Sequence, residues 1–367
     1  MVIEQHPPES RRRWLQHGLA AIACGVVAWP TQARGERGHW LAAAWDDASG
    51  RHFIGRLAWP GSALGAVRVL ASIEVPTRAH GLLVEPDGAV LAVARRPGEW
   101  LLRWHADAPG ATRWQVAEPD RRFNGHLLRE AGSGHLISVE TDLASGHSVL
   151  AVRDGQGLAV RDEWPVAGID AHELLQDADG SLLLAVGGVP SLPESGRVKR
   201  GLPAMASALL RLDACDGHEV GRWELGDARL SMRHLARHAG GAIGIALQAE
   251  HDAAEAKAAA PVLAWFDGSR LRVGEQPSAL AGYGGSIVAT AEGFAIGAPR
   301  AGGIARWCAD GRWLGLDPLA EACAISATPS GGWCAGGAVA ARRDDLASPV
   351  PLPPMRLDNH WVLATAV

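Results

Sequence analysis

Short apolar segments alternate with glycine-containing turns along most of the chain after residue 33. A typical unit begins with a small residue and a histidine, and continues as an apolar strand that turns at a glycine and returns. One clear copy starts at Ala79, turns at Asp87-Gly88 and returns through Ala89 to Ala94. Asp-Gly pairs suit tight hairpin turns, which need a positive φ. The pattern therefore predicts β-hairpins repeated along the chain.

The hairpins recur with a period typical of one architecture. Aligned starts of the repeat are His80, His126, His172, His234, Gly285, Cys323 and His360. Most of the intervals lie near the 40 to 50 residues of a four-stranded propeller blade. The longest interval contains Val189 to Ala206, a proline- and glycine-rich segment that we interpret as a loop, and Asp252 to Ala260 is interpreted as an inserted loop too. The sequence predicts an all-β fold, a seven-bladed β-propeller.

The two ends of the chain predict how the ring closes. The first repeat has strands at Trp40 to Trp45, His52 to Trp59 and Val67 to Val75, one short of four. One further strand, His360 to Ala366, follows the last complete unit. We expect this strand to complete the N-terminal blade, because closure removes open sheet edges. Residues 34–367 are then a single domain.

Composition and charge narrow the class of partner. The chain is 47% hydrophobic and 20% charged, with a formal net charge of −5. A chain this apolar can bury enough surface to fold. The absence of a basic excess gives no support for a nucleic-acid partner. No later segment has the roughly 20 apolar residues that span a bilayer, so we expect no membrane span after the N-terminus is removed.

The N-terminus predicts export. Ser10 to Gln16 is similar to a twin-arginine signal, and an apolar run from Gly18 to Trp29 precedes small residues that suit cleavage. We interpret residues 1–33 as a cleaved signal peptide and expect a periplasmic protein. Retention as an uncleaved anchor and lipidation of Cys24 stay open as alternatives.

The mature chain has four cysteines, Cys215, Cys308, Cys323 and Cys334. Their spacing has no Cys-x-x-Cys or zinc-like pattern, so we expect buried thiols or one disulfide rather than a metal site.

Five of the repeat starts carry a histidine at the same structural position. They are His80, His126, His172, His234 and His360. In a propeller this position begins the innermost strand, so five imidazoles are expected at one mouth of the channel. Imidazole suits iron, copper, zinc and haem iron. The alternative is that these histidines only hydrogen-bond neighbouring turns, since a repeat copies such a residue regardless of function.

Polar residues beside these histidines suggest supporting roles. Four polar residues, each two positions before a repeat start, are candidates to orient the rings: Asn124, Asp170, Glu321 and Asp358. The candidates to meet an anionic group on a ligand are Arg96, Arg233 and Arg300. Glu173 follows His172 directly and is the candidate general base of an enzyme. The sequence has no Gly-x-Ser-x-Gly elbow, phosphate loop or haem-attachment motif, so an enzyme is the less favoured reading.

Six short motifs carry a family resemblance. They are Ala94-Arg95-Arg96-Pro97-Gly98, Asn124-Gly125-His126, Ala171-His172-Glu173-Leu174, Ser231-Met232-Arg233-His234-Leu235, Pro299-Arg300-Ala301-Gly302-Gly303 and Asp358-Asn359-His360. Together they resemble a family of twin-arginine-exported propeller proteins of unknown function, often encoded beside imelysin-type iron-uptake proteins. The resemblance implies a propeller fold and an iron-related setting with an envelope partner of the imelysin type.

These observations lead to one functional hypothesis and two alternatives. We expect a periplasmic binding propeller that holds a transition metal, or an iron complex such as haem, at a histidine-lined channel mouth and serves in metal acquisition. The alternatives are a metal-dependent hydrolase or oxidoreductase that uses the same mouth with Glu173, and a protein-interaction scaffold of the cell envelope.

Overall fold

The computed structural model describes residues 40–60, 65–190 and 201–364. The predicted signal peptide, residues 1–33, lies outside this part of the chain, as do residues 191–200 of the predicted loop. The described residues are almost entirely β-strand and turn, as the hairpin pattern predicts.

The strands form consecutive antiparallel hairpins, and neighbours in the sequence are neighbours in the sheets. The chain begins with β1 (Trp40–Asp46), β2 (His52–Ala58) and β3 (Arg68–Val75). Five four-stranded sheets follow. The first contains β4 (Ala79–Val84), β5 (Val90–Ala94), β6 (Trp100–Trp104) and β7 (Arg113–Val116). The second contains β8 (Arg121–Arg129), β9 (Leu136–Asp142), β10 (Ser148–Arg153) and β11 (Val160–Pro165). The third contains β12 (Ala171–Gln176), β13 (Leu182–Val186), β14 (Ala208–Leu212) and β15 (Glu219–Trp223). The fourth contains β16 (Leu230–Arg237), β17 (Ile243–Ala249), β18 (Leu263–Phe266) and β19 (Leu271–Val273). The fifth contains β20 (Ser286–Ala289), β21 (Gly293–Ala298), β22 (Gly303–Cys308) and β23 (Trp313–Pro318). The chain then forms β24 (Ala324–Ala327), β25 (Trp333–Gly336), β26 (Ala340–Arg343), β27 (Val350–Pro351) and β28 (Arg356–Ala364).

The two ends of the chain meet in an eight-stranded sheet. Its order is β27-β26-β25-β24-β28-β1-β2-β3. Strand β28 pairs antiparallel with β1, with Trp361 opposite Ala43, and this is the neighbour that the sequence predicts for the last strand. On its other side β28 meets β24 through one parallel pair, His360 with Ile325. The strand begins at Arg356, four residues earlier than the sequence analysis placed it, because the polar segment before His360 also pairs with β1.

The core lies between the faces of successive sheets. Strand β5 is buried along its whole length, whereas the outer strand β23 alternates between half-buried and exposed positions. Ile137 and Val139 of β9 belong to the same buried cluster as Leu182 and Leu184 of β13. Each such aliphatic side chain contributes about 1.5 to 3 kcal/mol on full burial. The sheets are therefore held together by apolar faces on both sides.

One α-helix and two short 3₁₀ helices, Pro109–Ala111 and Leu202–Ala204, interrupt the strands of the described residues. The segment interpreted as a loop at Asp252 to Ala260 contains α1 (Ala254–Ala259), between β17 and β18. Four of its six residues are alanine, the strongest helix former, which explains a short helix where no amphipathic period is present. No helix among the described residues has the length and apolar character needed to cross a membrane.

Candidate metal centre

The five histidines predicted to share one position converge on one point. They lie on strands β4, β8, β12, β16 and β28, which belong to five different sheets. Their ring centroids are 4.5 Å apart for His234 and His360, and 5.8 Å apart for His80 and His234. Side chains from five sheets can touch one another only at the centre around which the sheets are arranged. Four of the five side chains are buried and His360 is half-buried, so the cluster is more enclosed than an open channel mouth.

Each of these strands is irregular where its histidine lies. Between Ala79 and Leu82, β4 has one residue more than the facing segment of β5, and His80 lies in this bulge. Register shifts of one or two residues also occur between Phe123 and Leu127, between Ala171 and Leu174, between Met232 and His234, and on β28 opposite Ala43–Trp45. On β16 the extra residue is Arg233, directly before His234. Strands β20 and β24, which carry no histidine, pair in unbroken register. A bulge redirects a side chain out of the normal alternation, and here it accompanies each imidazole at the centre.

A glycine makes room for the first of these rings. Gly125 has a φ of 107°, and a Cβ atom there would lie 2.8 Å from Cδ2 of His80. Both facts require glycine, since other residues rarely adopt this φ. The glycine of the Asn-Gly-His motif thus allows the backbone beside His126 to approach the ring of His80.

Two of the rings are oriented by polar groups through Nδ1. In His80 this nitrogen lies 3.4 Å from Oδ1 of Asp358, one of the carboxylates predicted to orient the histidines. Nδ1 of His360 lies 3.0 Å from Oγ of Ser286. Such contacts fix the angle of a ring and its tautomer.

Glu173 orients two further rings. Its Oε2 lies 3.1 Å from Nδ1 of His234 and accepts a 3.0 Å hydrogen bond from the backbone N–H of Leu235. Its Oε1 lies 3.7 Å from Nδ1 of His126. The residue proposed from the sequence as a general base therefore stands behind two imidazoles. Burial raises its pKa, although His126 and the Leu235 amide oppose the shift.

Five other ring nitrogens have no hydrogen-bond partner within the described residues. Nε2 of His80, His126, His234 and His360 and Nδ1 of His172 are buried, and none has a hydrogen bond within the described residues. Most buried polar atoms in proteins are paired. One nitrogen from each of four rings, His80, His126, His172 and His234, lies within 4.8 Å of the other three. Ligands of a tetrahedral ion at 2.0–2.1 Å are about 3.3 Å apart, so small ring rotations would close the set.

All five imidazoles are held neutral. Burial lowers the pKa of His80, His126, His172 and His360 well below 6.5, and nearby histidines and arginines lower it further. Burial and the neighbouring Arg233 lower the pKa of His234 to about 3. A neutral ring is the form that binds a metal. The cluster is thus ready to donate lone pairs at pH 7.

Asp170 joins two of the arginines proposed from the sequence. It ion-pairs with Arg96, and its Oδ2 lies 2.8 Å from Nη1 of Arg233. The Arg233 side chain is 1% exposed, and burial lowers its pKa to about 10, so it stays charged at pH 7. Gly187 is needed beside this pair, because a Cβ there would lie 2.7 Å from both Arg233 and Asp170.

Asp358 joins two arginines that the sequence reasoning missed. Nε of Arg78 donates to Oδ2 at 2.9 Å, and Nη1 of Arg95 lies 3.4 Å from both carboxylate oxygens. A signal for both was present, since Arg95 lies in the same motif as Arg96 and Arg78 stands two residues before His80.

Two of the proposed ligand-binding residues have other contacts. The Asn124 amide donates to the carbonyl of Ala171 at 2.8 Å and accepts from Oγ1 of Thr141 at 2.8 Å, which ties β8 to the next sheet. Arg300 stacks over the ring of Tyr283 at 4.4 Å. The four cysteines of the described chain are free thiols, and burial raises the pKa of Cys323 and Cys334 to about 12.

Solved structures share this fold at low sequence identity. Virginiamycin B lyase from Staphylococcus aureus is 13% identical, with a TM-score of 0.53 over 75% of this chain and 84% of that chain. Kuenenia stuttgartiensis hydrazine synthase is 10% identical, with a TM-score of 0.57 over 84% and 96%. The Dos1 propeller is 10% identical, with a TM-score of 0.51 over 88% of each chain. These similarities show a β-propeller fold and nothing of function.

Sequence comparisons identify one family. No curated protein matches the chain. The family model described as "Protein of unknown function (DUF1513)" matches residues 73–364. The match includes all five histidines and every arginine and carboxylate of the centre.

Proposed function

The chain belongs to the DUF1513 family of proteins of unknown function, and on this propeller we propose that the five-histidine cluster binds one transition-metal ion. The observation that carries the proposal is which ring nitrogens have a partner and which have none. In four of them Nδ1 faces a fixed partner, while the buried Nε2 has none within the described residues. This division between an oriented and a free nitrogen is the usual state of histidines that ligate metals.

A purely structural role explains the cluster less well. An unsatisfied buried polar atom costs about 1 to 3 kcal/mol, and five such nitrogens meet here. Apolar side chains of similar size would pack the centre without that penalty. A bound ion reduces the penalty, because each nitrogen that becomes a ligand is no longer unpaired.

The donor set favours a particular class of ion. Imidazole nitrogen suits copper, zinc, iron, cobalt and nickel, whereas calcium and magnesium prefer oxygen. A bare ion also suits the geometry better than haem, because rings with centroids 4.5 to 5.8 Å apart leave no gap for a porphyrin among them. We therefore propose a mononuclear site for a borderline or soft divalent metal.

The finer architecture and the biological setting belong to the same proposal. We count the eight-stranded sheet as two blades, β24–β27 and β28 with β1–β3, which makes a seven-bladed ring closed by the C-terminal strand. The similarity of the N-terminus to a twin-arginine signal supports a periplasmic location. On that basis the protein serves in the acquisition or delivery of metal, with an imelysin-type iron-uptake protein as the candidate partner.

Metal analysis of tag-free protein tests the proposal. Protein prepared without a polyhistidine tag and dialysed against each metal in turn should retain about one ion per chain. The double variant His126→Ala/His172→Ala should bind that ion at least about 100-fold more weakly, since two ligands are removed. The control His105→Ala/His147→Ala, outside the cluster, should leave affinity unchanged. Absence of metal from the wild type, or full affinity in the cluster variant, would refute the proposal and favour the scaffold alternative.

A hydrolase or oxidoreductase is the second candidate, and one observation favours it. Burial raises the pKa of Glu173, which is the direction in which enzymes shift the pKa of a carboxyl group that transfers protons. Turnover of a panel of lactones and oxidisable substrates by metal-loaded protein, abolished by Glu173→Gln, would support an enzyme. Metal binding without turnover leaves Glu173 as a group that only orients His126 and His234.

A further inference from the structure

Four arginine side chains surround the histidine cluster where the inner strands begin. They are Arg78, Arg95, Arg96 and Arg233. Arg78 directly precedes β4, and Arg95 directly follows β5 with its N–H on the carbonyl of Arg78 at 2.8 Å. The buried carboxylates that face the four arginines are those of Asp170 and Asp358. Counted over these described residues alone, four cations and two anions leave a formal excess of two positive charges.

Two further carboxylates near these arginines are each close to another cation. Asp46 lies 3.8 Å from Arg78 but is itself paired with Arg356. Glu250, near Arg233, lies 3.8 Å from Lys257. The negative charge of each of these two carboxylates is therefore offset by a nearby cation. Glu173 offsets one positive charge only when it is ionised.

The charges of three of these arginines lower the pKa of the cluster histidines. After burial, the charges of Arg233, Arg95 and Arg96 are the causes that lower the pKa of His234. Each of the other four histidines has at least one of these three arginines among the causes of its low pKa. A divalent ion at the cluster would thus add two positive charges to a region already positive. Charges of the same sign in a buried setting repel strongly.

The most deeply buried arginine has unused donors. Nε and Nη2 of Arg233 have no hydrogen bond within the described residues, although its side chain is 1% exposed. Arg95 and Arg96 have side chains 15% and 23% exposed, so a small solute can reach them. Guanidinium groups recognise carboxylates and oxyanions through paired N–H donors.

We propose that the centre takes its metal together with a small carboxylate or oxyanion, which the guanidinium groups beside the cluster bind next to the ion. The inference rests on the proposed metal site. The anion offsets the charge that the neutral imidazoles leave uncompensated and occupies the donors of Arg233. The same chemistry is supplied by a free anion such as oxalate or bicarbonate, or by an anionic arm of a chelated metal.

A titration with cobalt(II) measures metal binding with and without an anion. Wild-type protein is titrated with Co²⁺ in a buffer free of carboxylates and carbonate, and then with added oxalate or bicarbonate, with calorimetry and visible absorption as readouts. We expect oxalate or bicarbonate to tighten Co²⁺ binding by at least about tenfold and to change the cobalt spectrum. By reciprocity, Co²⁺ tightens anion binding by the same factor. Preformed Co²⁺-nitrilotriacetate, titrated separately, distinguishes uptake of an intact chelate from uptake of a free anion.

Variants assign the effect to the arginines. Arg95→Gln and Arg96→Gln should each remove most of the oxalate effect and retain binding of Co²⁺ alone. Arg300→Gln is the matched control, because Arg300 is the second residue after β21, as Arg96 is the second residue after β5, but stacks on Tyr283. Equal Co²⁺ affinity in the wild type with and without anions or chelator would overturn this inference and leave the metal site standing. Failure of Co²⁺ to bind under any condition would refute the proposed function itself.

Discussion

Oε2 of Glu173 lies 3.1 Å from Nδ1 of His234, although the two residues are 61 positions apart and belong to neighbouring sheets. The same oxygen accepts the N–H of Leu235, so the carboxylate is anchored to the strand that carries the histidine. The neighbour of one cluster histidine thus positions the ring of another. The orientation of the rings therefore depends on how neighbouring sheets pack together, and not on one strand alone.

Loss of the Glu173 carboxylate should therefore weaken metal binding without unfolding the protein. We expect Glu173→Ala to reduce metal affinity by about 10- to 100-fold, as for other groups that orient metal-bound histidines. Glu173→Gln should lose less, because its amide oxygen still accepts from Leu235 and His234. Calorimetric titration with thermal unfolding as a folding control makes the comparison. Identical affinities in all three proteins would show that Glu173 does not position the rings.

Acid should destabilise the metal-free protein. The folded pKa of each cluster histidine lies below its unfolded value of 6.5, so the unfolded chain binds more protons as pH falls. The stabilisation is complete above pH 6.5 and is lost as pH falls below it, by up to about 1.4 kcal/mol per pH unit for each histidine.

Urea unfolding at several pH values between 7.5 and 5 measures this slope. His126→Gln should make the slope shallower, whereas His147→Ala, at an exposed site, should not. Saturating metal should move the loss of stability to lower pH. A metal-free protein equally stable from pH 7.5 to 5 would contradict the burial of neutral rings.

Gly125 should be intolerant of a methyl group. Gly125→Ala forces a φ of 107° on a residue with a Cβ, and places that atom 2.8 Å from the ring of His80. We expect a loss of about 1 to 3 kcal/mol in the free energy of unfolding and weaker metal binding. Gly268→Ala is the matched control, since Gly268 has a φ of 97° and nothing within 4 Å of its added Cβ. The control should show the backbone strain alone, with metal affinity unchanged in titration.

Trp361 should contribute strongly to holding the last strand in place. Its side chain is 2% exposed, and Nε1 donates to the carbonyl of Cys334 at 3.1 Å. Trp361→Ala should cost about 3 to 5 kcal/mol, whereas Leu70→Ala, at a 47% exposed position, should change stability by less than about 0.5 kcal/mol. Chemical denaturation measures both. A similarly small effect at Trp361 would mean that β28 adds little to the fold.

The repeat made the hairpins and the shared position of the histidines predictable, because alternating apolar residues and Asp-Gly turns are local signals. The bulges were not predictable, since strand alternation assigns His172 and Glu173 to opposite faces. In the structure, His172 reaches the centre and Glu173 contacts rings from its two neighbouring sheets. The roles of Asn124 and Arg78 depend on contacts between sheets, and the sequence of a single strand does not reveal such contacts.

Strand β28 links the proposed metal centre to the pairing of the two ends of the described chain. The last strand brings His360 to the cluster and Asp358 to His80, and it is also the strand that pairs with β1. A nascent chain that has not reached residue 356 has four of the imidazoles but lacks both the fifth ring and the pairing of its ends. If the proposed metal site exists, a chain cut before residue 356 should therefore hold the ion less tightly than the full chain.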